Sequence, residues 1–394
     1  MADQRDQQRY IDAADSVLKI VASMTGASMK ARELVGLLDP ELVPPEFRDV
    51  HERALATLGG APEGMNWKDV EKTLKRETGG RLSNTFAQID ETPATPASIG
   101  QVHRATLGDG REVAVKVQYP GAAEAVTSDL QNIGLILRAV QLVAPAIDAA
   151  GLAREIRDRV GEELDYEWEA QAQRRFARAY KGDSSIHIPA PMTDLSTSCV
   201  LISEWVDGRG IDQLSGDERG QVAETVFRFY HGNAHRVGAY NCDPHPDNFR
   251  LMADGRVAFL DFGSILDVPA DRLARITALR RAAAAGDAEG TRDLLVELGY
   301  FGSAADLAPD VALELVTTSS GWLLQDHEVS VDRDMVRALM DQGAPLEHLV
   351  DVATVPPPDL MRMRLDVTLL MTLARLGATR NWHRIALECW DRVG

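Results

Sequence analysis

The residues with the clearest chemistry lie in one stretch, residues 240–263, which reads YNCDPHPDNFRLMADGRVAFLDFG. Asp243 is followed five residues later by Asn248, and Asp261 opens the tripeptide Asp-Phe-Gly. Carboxylate and amide oxygens suit Mg²⁺, which takes one or two protein ligands when it is bound beside the phosphates of a nucleotide. Asn248 and Asp261 are therefore candidate metal ligands, and Asp243 is the candidate to position or deprotonate an acceptor.

The order of these residues indicates phosphoryl transfer more strongly than any one of them. An aspartate in a proline-rich loop is usually a turn former, and the tripeptide Asp-Phe-Gly occurs by chance. A loop aspartate, an asparagine five residues on and a second aspartate after an apolar run form the ordered set of protein-kinase-type sites. The alternative is a polar loop beside a buried strand, and the ordered set favours the kinase-like site.

The composition limits the class of protein and its partners. With 394 residues, 45% hydrophobic and 26% charged, the chain has the length and balance of a soluble globular protein with two or three domain-sized units. A net charge of −18 argues against nucleic acid and against general electrostatic docking on anionic membranes. Three scattered cysteines and a polar N-terminus without an apolar signal segment predict a reducing, cytoplasmic location. Peripheral membrane contact through a local apolar surface stays open.

Hydrophobic spacing divides the chain into helical and strand-rich parts. Residues from about 7 to 80 have helical spacing, and strand character begins near Phe86. A hairpin is predicted with strands over 97–107 and 111–117, joined by the turn signal Gly-Asp-Gly. A long amphipathic helix is predicted over 152–180, and helices predominate towards the C-terminus. We therefore expect an α+β protein with three units: a helical extension over 1–80, an N-lobe over 81–205 and a C-lobe over 206–394.

Two features of the predicted hairpin fit a nucleotide site. A loop of small residues that ends in Ala97 and Ser98 precedes the first strand, and small residues let a backbone approach a phosphate closely. The loop contains no GxGxxG, so it is not of the ordinary kinase type. Lys116 ends an Ala-Val-Lys run on the second strand, as in the VAIK pattern, whose lysine reaches the α- and β-phosphates. A strand lysine is usually a solvated residue, but the downstream motif favours the functional reading.

A helix and a connector supply the remaining candidates. Glu163 lies on the long amphipathic helix and could pair with Lys116 to hold it on the phosphates, although an unplaced glutamate is more often a solvated charge. An apolar strand over 199–202 runs into a polar connector that ends in glycine, as a hinge between two lobes does. Backbone groups of this connector, at Glu204 and Val206, could bind the edge of an adenine ring.

Taken together, these segments closely resemble the UbiB family of atypical kinases, also called the aarF-domain or ubiquinone-biosynthesis kinase-like family. The resemblance covers roughly residues 25–265. It rests on five segments: ASIGQVHRA at 97–105, VAVKV with YPG at 113–121, ELDYEWEA at 163–170, DPHPDN at 243–248 and DFG at 261–263.

The resemblance implies a two-lobed protein-kinase-like fold with an N-terminal helical extension over the active site and a mostly helical C-lobe. It also implies binding of ATP and Mg²⁺, and an ATPase or unorthodox kinase activity linked to isoprenoid quinone or other lipid metabolism. The implied partners are a nucleotide and a lipid or quinone ligand. The implied site residues are Lys116 for the nucleotide, Glu163 and Asp165 as the ExD pair, Asp243 as the catalytic-loop aspartate, and Asn248 and Asp261 for the metal.

The family's KxGQ motif is altered in this chain. Residues 30–33 read KARE, so the lysine is kept while the glycine and glutamine are replaced. In the family, the helix that carries this motif blocks access of protein substrates. Lys30 and Glu33, together with Asp165, are therefore the candidate regulatory residues.

Two further departures and the altered KxGQ motif leave other functions open. Pro96 removes one backbone donor from the phosphate loop, and Asp247 replaces the glycine of the HPGN motif, where it could strengthen metal binding or repel phosphate. These changes motivate a nucleotide-sensing scaffold with little catalysis. A small-molecule phosphotransferase of the aminoglycoside or choline kinase kind would share the Asp, Asn and Asp spacing, although the segment 97–105 argues against it.

Overall fold

The computed structural model describes most of the chain after residue 63. The described residues are 64–97, 99–124, 164–303, 307–342 and 356–391. Their helices are α1 (Trp67–Glu77), α2 (Tyr166–Ala179), α3 (Gly216–Val237), α4 (Ala270–Ala284), α5 (Ala288–Glu297), α6 (Pro309–Leu324), α7 (Arg333–Gln342), α8 (Pro357–Leu376) and α9 (Trp382–Trp390). Their strands are β1 (Phe86–Ile89), β2 (Thr95–Ala97), β3 (Gly100–Leu107), β4 (Glu112–Gln118), β5 (Ile186–His187), β6 (Val200–Glu204), β7 (Ala239–Asn241), β8 (Phe249–Leu251), β9 (Val257–Phe259), β10 (Ile265–Asp267), β11 (Val329–Val331) and β12 (Ala378–Arg380).

An antiparallel sheet forms the strand-rich first part of the fold. Its strands lie in the order β1-β3-β4-β6, and β2 pairs with the first residues of β3. The predicted hairpin is confirmed as β3 and β4, which pair from Gly100 opposite Gln118 to Thr106 opposite Glu112. Gly110 in the connecting turn has a φ of 89°, the left-handed conformation that favours glycine.

The two faces of β4 serve different purposes because successive side chains of a strand point to opposite sides. Val113, Val115 and Val117 are fully buried in a cluster that also contains Val70 and Leu74 of α1. Helix α1, which was expected within the helical extension, thus packs on this face of the sheet. Lys116 projects from the other face, towards α2.

Helix α2 begins later than the predicted amphipathic helix. Asp165 is its N-cap, and one carboxylate oxygen accepts hydrogen bonds from the backbone N–H groups of Glu167 and Trp168. Tyr166 and Ala170 are buried against Leu201 of β6, which fixes α2 across the sheet face that carries Lys116. Residues 152–163 of the predicted helix lie outside the described residues.

The helical second part is built around α3. This helix contributes many buried side chains, among them Phe227, Phe229 and Tyr230. The Phe229 ring stacks on Phe259 of β9, with centroids 3.7 Å apart, so the core of the helical part reaches the strand that precedes Asp261. Helix α3 ends at Gly238, whose φ of 76° closes the last turn before β7.

None of the helices that the structure describes is long and apolar enough to cross a lipid bilayer.

A buried histidine makes the stability of this helical part depend on pH. His231 of α3 is 4% exposed, and its Nε2 accepts a hydrogen bond from the indole N–H of Trp390 at 2.9 Å. Burial, reinforced by the positive charge of Arg280, lowers the pKa of His231 well below its usual value of 6.5. The neutral ring therefore stabilises the fold fully above pH 6.5, and this stabilisation is lost as the pH falls towards the lowered pKa.

We expect the free energy of unfolding to decrease as the pH is lowered from about 7.5 to about 5, because the unfolded chain takes up a proton at His231 that the folded chain excludes. Urea unfolding at several pH values measures this dependence. His231→Gln, which keeps an acceptor for Trp390, should reduce the pH dependence and leave the smaller part that His235 and His103, whose pKa values are also lowered by burial, contribute. His327→Gln, at an exposed histidine, should not. An equal pH dependence in His231→Gln and the unsubstituted protein would show that another group is responsible.

Candidate active site

A short hairpin brings the two candidate metal ligands to the same end of the C-terminal part. Strands β8 and β9 pair antiparallel, with Phe249 opposite Phe259. Asn248 immediately precedes β8 and Asp261 follows β9, so both lie at this end of the hairpin. The backbone N–H of Leu260 donates to the carbonyl of Asn248 at 2.9 Å, which closes the hairpin beside the two side chains.

Asn241, a residue that the sequence did not single out, connects the candidate catalytic loop, which follows β7 and carries Asp243, to the Asp-Phe-Gly segment. It ends β7 and is 1% exposed. Its side-chain N–H donates to the carbonyl of Asp261 at 2.8 Å, while its side-chain oxygen accepts the backbone N–H of Asp243 at 3.1 Å. One buried amide therefore sets the spacing between Asp243 and Asp261.

Asp243 and Asn248 are in direct contact. The Asn248 Nδ2 atom donates to Asp243 Oδ2 at 3.0 Å and to the Asp243 carbonyl at 3.1 Å. Because the amide nitrogen faces Asp243, the amide oxygen of Asn248 points away from it and is available to a cation. Asp243 itself is 3% exposed and its backbone carbonyl also accepts the hydroxyl of Tyr230 at 3.2 Å.

Three charged side chains from separate elements meet in the buried centre of the site. The Nζ atom of Lys116 on β4 lies 2.9 Å from Glu169 Oε2 on α2 and 3.3 Å from Asp261 Oδ2. The exposed fractions of the three side chains are 15% for Lys116, 2% for Glu169 and 27% for Asp261. The contact joins the sheet to the Asp-Phe-Gly segment, so the sequence-predicted residues Lys116 and Asp261 do come together.

The surroundings of Lys116 keep it charged. Burial disfavours the ammonium form, but the carboxylates of Asp261 and Glu169 outweigh burial and raise the pKa of Lys116 well above its usual value. The ammonium nitrogen also lies 4.8 Å from the centre of the Tyr166 ring, which favours a cation. The site therefore holds a permanent positive charge, as required for contact with phosphate oxygens.

The glutamate that contacts Lys116 in the described part of the chain was not singled out in the sequence. Glu163 was expected in this role, and it lies outside the described residues. In the described part of the chain the partner is Glu169, one turn into α2 on the buried face. Asp165, a candidate regulatory residue, caps this helix, so its position determines which glutamate faces the sheet.

The candidate phosphate loop lies where β2 turns into β3. Ala97 ends β2 and pairs with Gly100, while Ser98 lies outside the described residues. A Cβ atom on Gly100 would lie 2.2 Å from the Val117 carbonyl and 3.0 Å from the Tyr166 hydroxyl, so only glycine fits there. This close approach brings the loop to the strand that carries Lys116.

The connector after β6 presents backbone groups that could accept an adenine edge. Glu204 is the last residue of β6, and its carboxylate is engaged by His187 at 3.2 Å and by the backbone N–H of Ala190 at 3.2 Å. The Trp205 N–H donates to the carbonyl of Glu112. Val206 forms no backbone hydrogen bond to another described residue, so its N–H and C=O suit a planar ligand.

Asp247, the departure within the central motif, does not reach this centre. Lys30 and Glu33 lie outside the described residues. The side chain of Asp247 is 81% exposed, with its carboxylate 3.7 Å from His245 Nδ1, so it points into solvent.

The oxygen ligands at the centre fit magnesium bound together with a nucleotide. Within the described ranges, no three His, Cys, Asp or Glu side chains are grouped as a self-sufficient metal site. Magnesium with a nucleotide needs only one or two protein oxygens, since phosphates and water supply the others. The amide oxygen of Asn248 and the carboxylate of Asp261 match this requirement.

We expect Glu169→Gln to destabilise the fold and to weaken the contact that keeps the Lys116 ammonium group in place. The substitution removes the charge from a buried ion pair and should lower the free energy of unfolding by about 1.5–3 kcal/mol, because Asp261 still compensates Lys116 in part. Chemical denaturation measures this loss. Glu167→Gln, on the exposed side of the same helix, should change stability by less than about 0.5 kcal/mol. Equal losses for the two variants would contradict the buried contact.

Comparisons with known proteins indicate the family and the fold of the chain. The family described as "ABC1 atypical kinase-like domain" matches residues 60–295. "Atypical kinase COQ8B, mitochondrial" of Rattus norvegicus is 31% identical over 255 residues, which are 64% of this chain and 48% of that protein. "Atypical kinase COQ8, mitochondrial" of Saccharomyces cerevisiae is 26% identical over 386 residues, which are 95% of this chain and 75% of that protein. The chain thus spans about half the length of the rat relative.

A solved structure extends the likeness over the whole chain. The erythromycin complex of Rv3197 from Mycobacterium tuberculosis has a TM-score of 0.71 and 25% sequence identity, covering 100% of this chain and 99% of that one. This likeness and the family match confirm the predicted protein-kinase-like fold. The family model covers more than half of the chain, so the chain belongs to the ABC1 atypical kinase-like family, also called UbiB.

Proposed function

We propose that this chain is an ATP- and Mg²⁺-dependent enzyme that transfers or hydrolyses the terminal phosphoryl group of ATP. The observation that carries the proposal is the contact of Lys116 with both Glu169 and Asp261, at 2.9 and 3.3 Å. A kinase-like site needs a lysine held by a helix glutamate and an Asp-Phe-Gly aspartate beside it. Membership of the atypical kinase family supports the same reaction class.

Each residue has a separate task in the proposed reaction. Lys116 would contact the phosphates, and Glu169 would keep its ammonium group in place. Asn248 and Asp261 would hold magnesium, which supplies charge neutralisation of the phosphates when bound. Asp243 would position the acceptor hydroxyl or water, since its carboxylate is fixed on one side by Asn248.

The adenine and phosphate contacts are part of the same proposal. The backbone of Glu204 and Val206 would meet the adenine edge, and the loop at Ala97 and Ser98 would approach the phosphates. Since Pro96 lacks an N–H group, this loop would offer fewer backbone donors than a glycine-rich loop, and Lys116 would carry more of the phosphate binding.

The biological setting is proposed from the family resemblance. We infer a role in isoprenoid quinone or lipid metabolism, with a lipid or quinone ligand as the partner. The proposed location is the cytoplasm, which rests on the three scattered cysteines and not on the resemblance, with peripheral contact to a membrane as the route to such a ligand. The rat and yeast relatives are themselves named as mitochondrial proteins.

Asp261→Asn should abolish Mg²⁺-dependent phosphate release from ATP. The substitution removes one metal-ligand charge and one partner of Lys116, and we expect a fall of at least about 100-fold in kcat. Phosphate release is measured at saturating ATP, with and without Mg²⁺. Asp267→Asn, at an exposed aspartate paired with Arg175, is the matched control and should keep full activity.

Two results would contradict the proposal in different ways. If the unsubstituted protein binds Mg²⁺–ATP but releases no phosphate with water, lipid or a quinone-like headgroup, the chain acts as a nucleotide-sensing scaffold. If Asp261→Asn keeps its turnover, the reaction does not use this metal site.

A further inference from the structure

A helix beyond the family-matched region reaches the catalytic loop. The family match ends at residue 295, whereas α8 covers Pro357–Leu376. Arg364 of α8 lies with its Nη2 atom 3.5 Å from Asp243 Oδ1. About two turns further along the helix, the Thr372 hydroxyl donates to the Pro244 carbonyl at 2.7 Å. One side of α8 therefore runs along the loop that carries Asp243.

Arg364 differs from the structural arginine two residues before it. Arg362 contacts Asp366 at 2.8 Å, Asp359 at 3.5 Å and the Tyr300 hydroxyl at 2.7 Å, so its guanidinium group is well satisfied. In contrast, the Nε atom of Arg364 is buried and has no hydrogen-bond partner among the described residues. A guanidinium group carries five N–H donors, and Arg364, whose side chain is 21% exposed, leaves the buried one at Nε without a partner in the described part of the chain.

The catalytic loop is already fixed without Arg364. The backbone of Asp243 is held by Asn241, Tyr230 and Asn248, and that of Pro244 by Thr372. The Asp243 carboxylate itself accepts the Asn248 amide N–H at its Oδ2 atom. Arg364 approaches the other oxygen, Oδ1.

We propose that Arg364 is a positioning residue for phosphoryl transfer, which fixes the Asp243 carboxylate from the side opposite Asn248. The inference rests on the proposed function. An amide donor at one carboxylate oxygen and a cation beside the other together restrict rotation of the carboxylate about its terminal bond. Since an error of about 1 Å in the placement of a reacting group costs up to about 100-fold in rate, this restriction would act on kcat.

Arg364→Gln tests the proposal through the separation of turnover from binding. We expect kcat for phosphate release to fall by about 10- to 100-fold, while the Kd for Mg²⁺–ATP changes by less than about twofold, since Asp243 faces the acceptor and not the nucleotide. Arg364→Lys keeps a positive charge and should recover part of the lost turnover.

The matched control is Arg362→Gln, which loosens the same helix without touching Asp243. It should lower the unfolding temperature and leave kcat unchanged. If Arg362→Gln loses as much turnover as Arg364→Gln, the packing of α8 is responsible and the proposal is overturned. It is also overturned if Arg364→Gln keeps kcat within about twofold, or if Arg364→Lys recovers nothing.

A double-substitution cycle tests whether Arg364 acts through Asp243, and it does not depend on activity. Arg364→Gln should lower the unfolding temperature when Asp243 is unchanged, because the buried Asp243 carboxylate loses a nearby cation. In the Asp243→Asn background the same substitution should have little effect. Equal decreases in both backgrounds would contradict the proposal.

The turnover measurements separate this inference from the proposed function. If the unsubstituted protein releases no phosphate at all, the proposed function fails and this inference fails with it. If the unsubstituted protein turns over and Arg364→Gln does so at the same rate, only this inference fails.

Discussion

The buried contact of Lys116 with Glu169 and Asp261 is the interaction on which the site depends. Each partner comes from a different part of the chain: a sheet strand, the helix across the sheet and the hairpin of the helical part. Removing charges from water is costly, so such a group persists only when opposite charges and hydrogen bonds compensate it. The positions of α2 and of the β8–β9 hairpin are therefore linked to that of one lysine.

Around this centre, buried polar side chains set the relative positions of the reacting groups. The Asn241 side chain hydrogen-bonds to the backbone of both Asp243 and Asp261. The Asn248 amide donates to the Asp243 carboxylate. Apolar packing behind them, from Phe229 and Phe259, keeps the hairpin against α3. The result is a preorganised arrangement, in which the cost of ordering the groups is met during folding and not during the reaction.

The sequence predicts the parts of the site that depend on local spacing. The pair Asp243 and Asn248 is fixed by a short loop, and Asp261 by the hairpin that follows, so a pattern within about 20 residues suffices. The alternation of valines on β4 likewise gives the face of Lys116. The contact of Glu169 with Lys116 was not predictable in the same way, because Glu163, Glu167 and Glu169 lie on one segment and the burial of Glu169 depends on where α2 begins. Arg364 is beyond any local pattern, since it reaches Asp243 only through the packing of α8 on the catalytic loop.

The central claim is that Lys116 serves phosphoryl transfer from ATP. The most direct measurement compares Mg²⁺-dependent phosphate release by the unsubstituted chain and by Lys116→Met, which keeps much of the side-chain length without the charge. The account predicts clear turnover in the former and a loss of at least about 100-fold in the latter. Equal turnover in the two proteins, or no turnover by the unsubstituted chain with any acceptor, would contradict it.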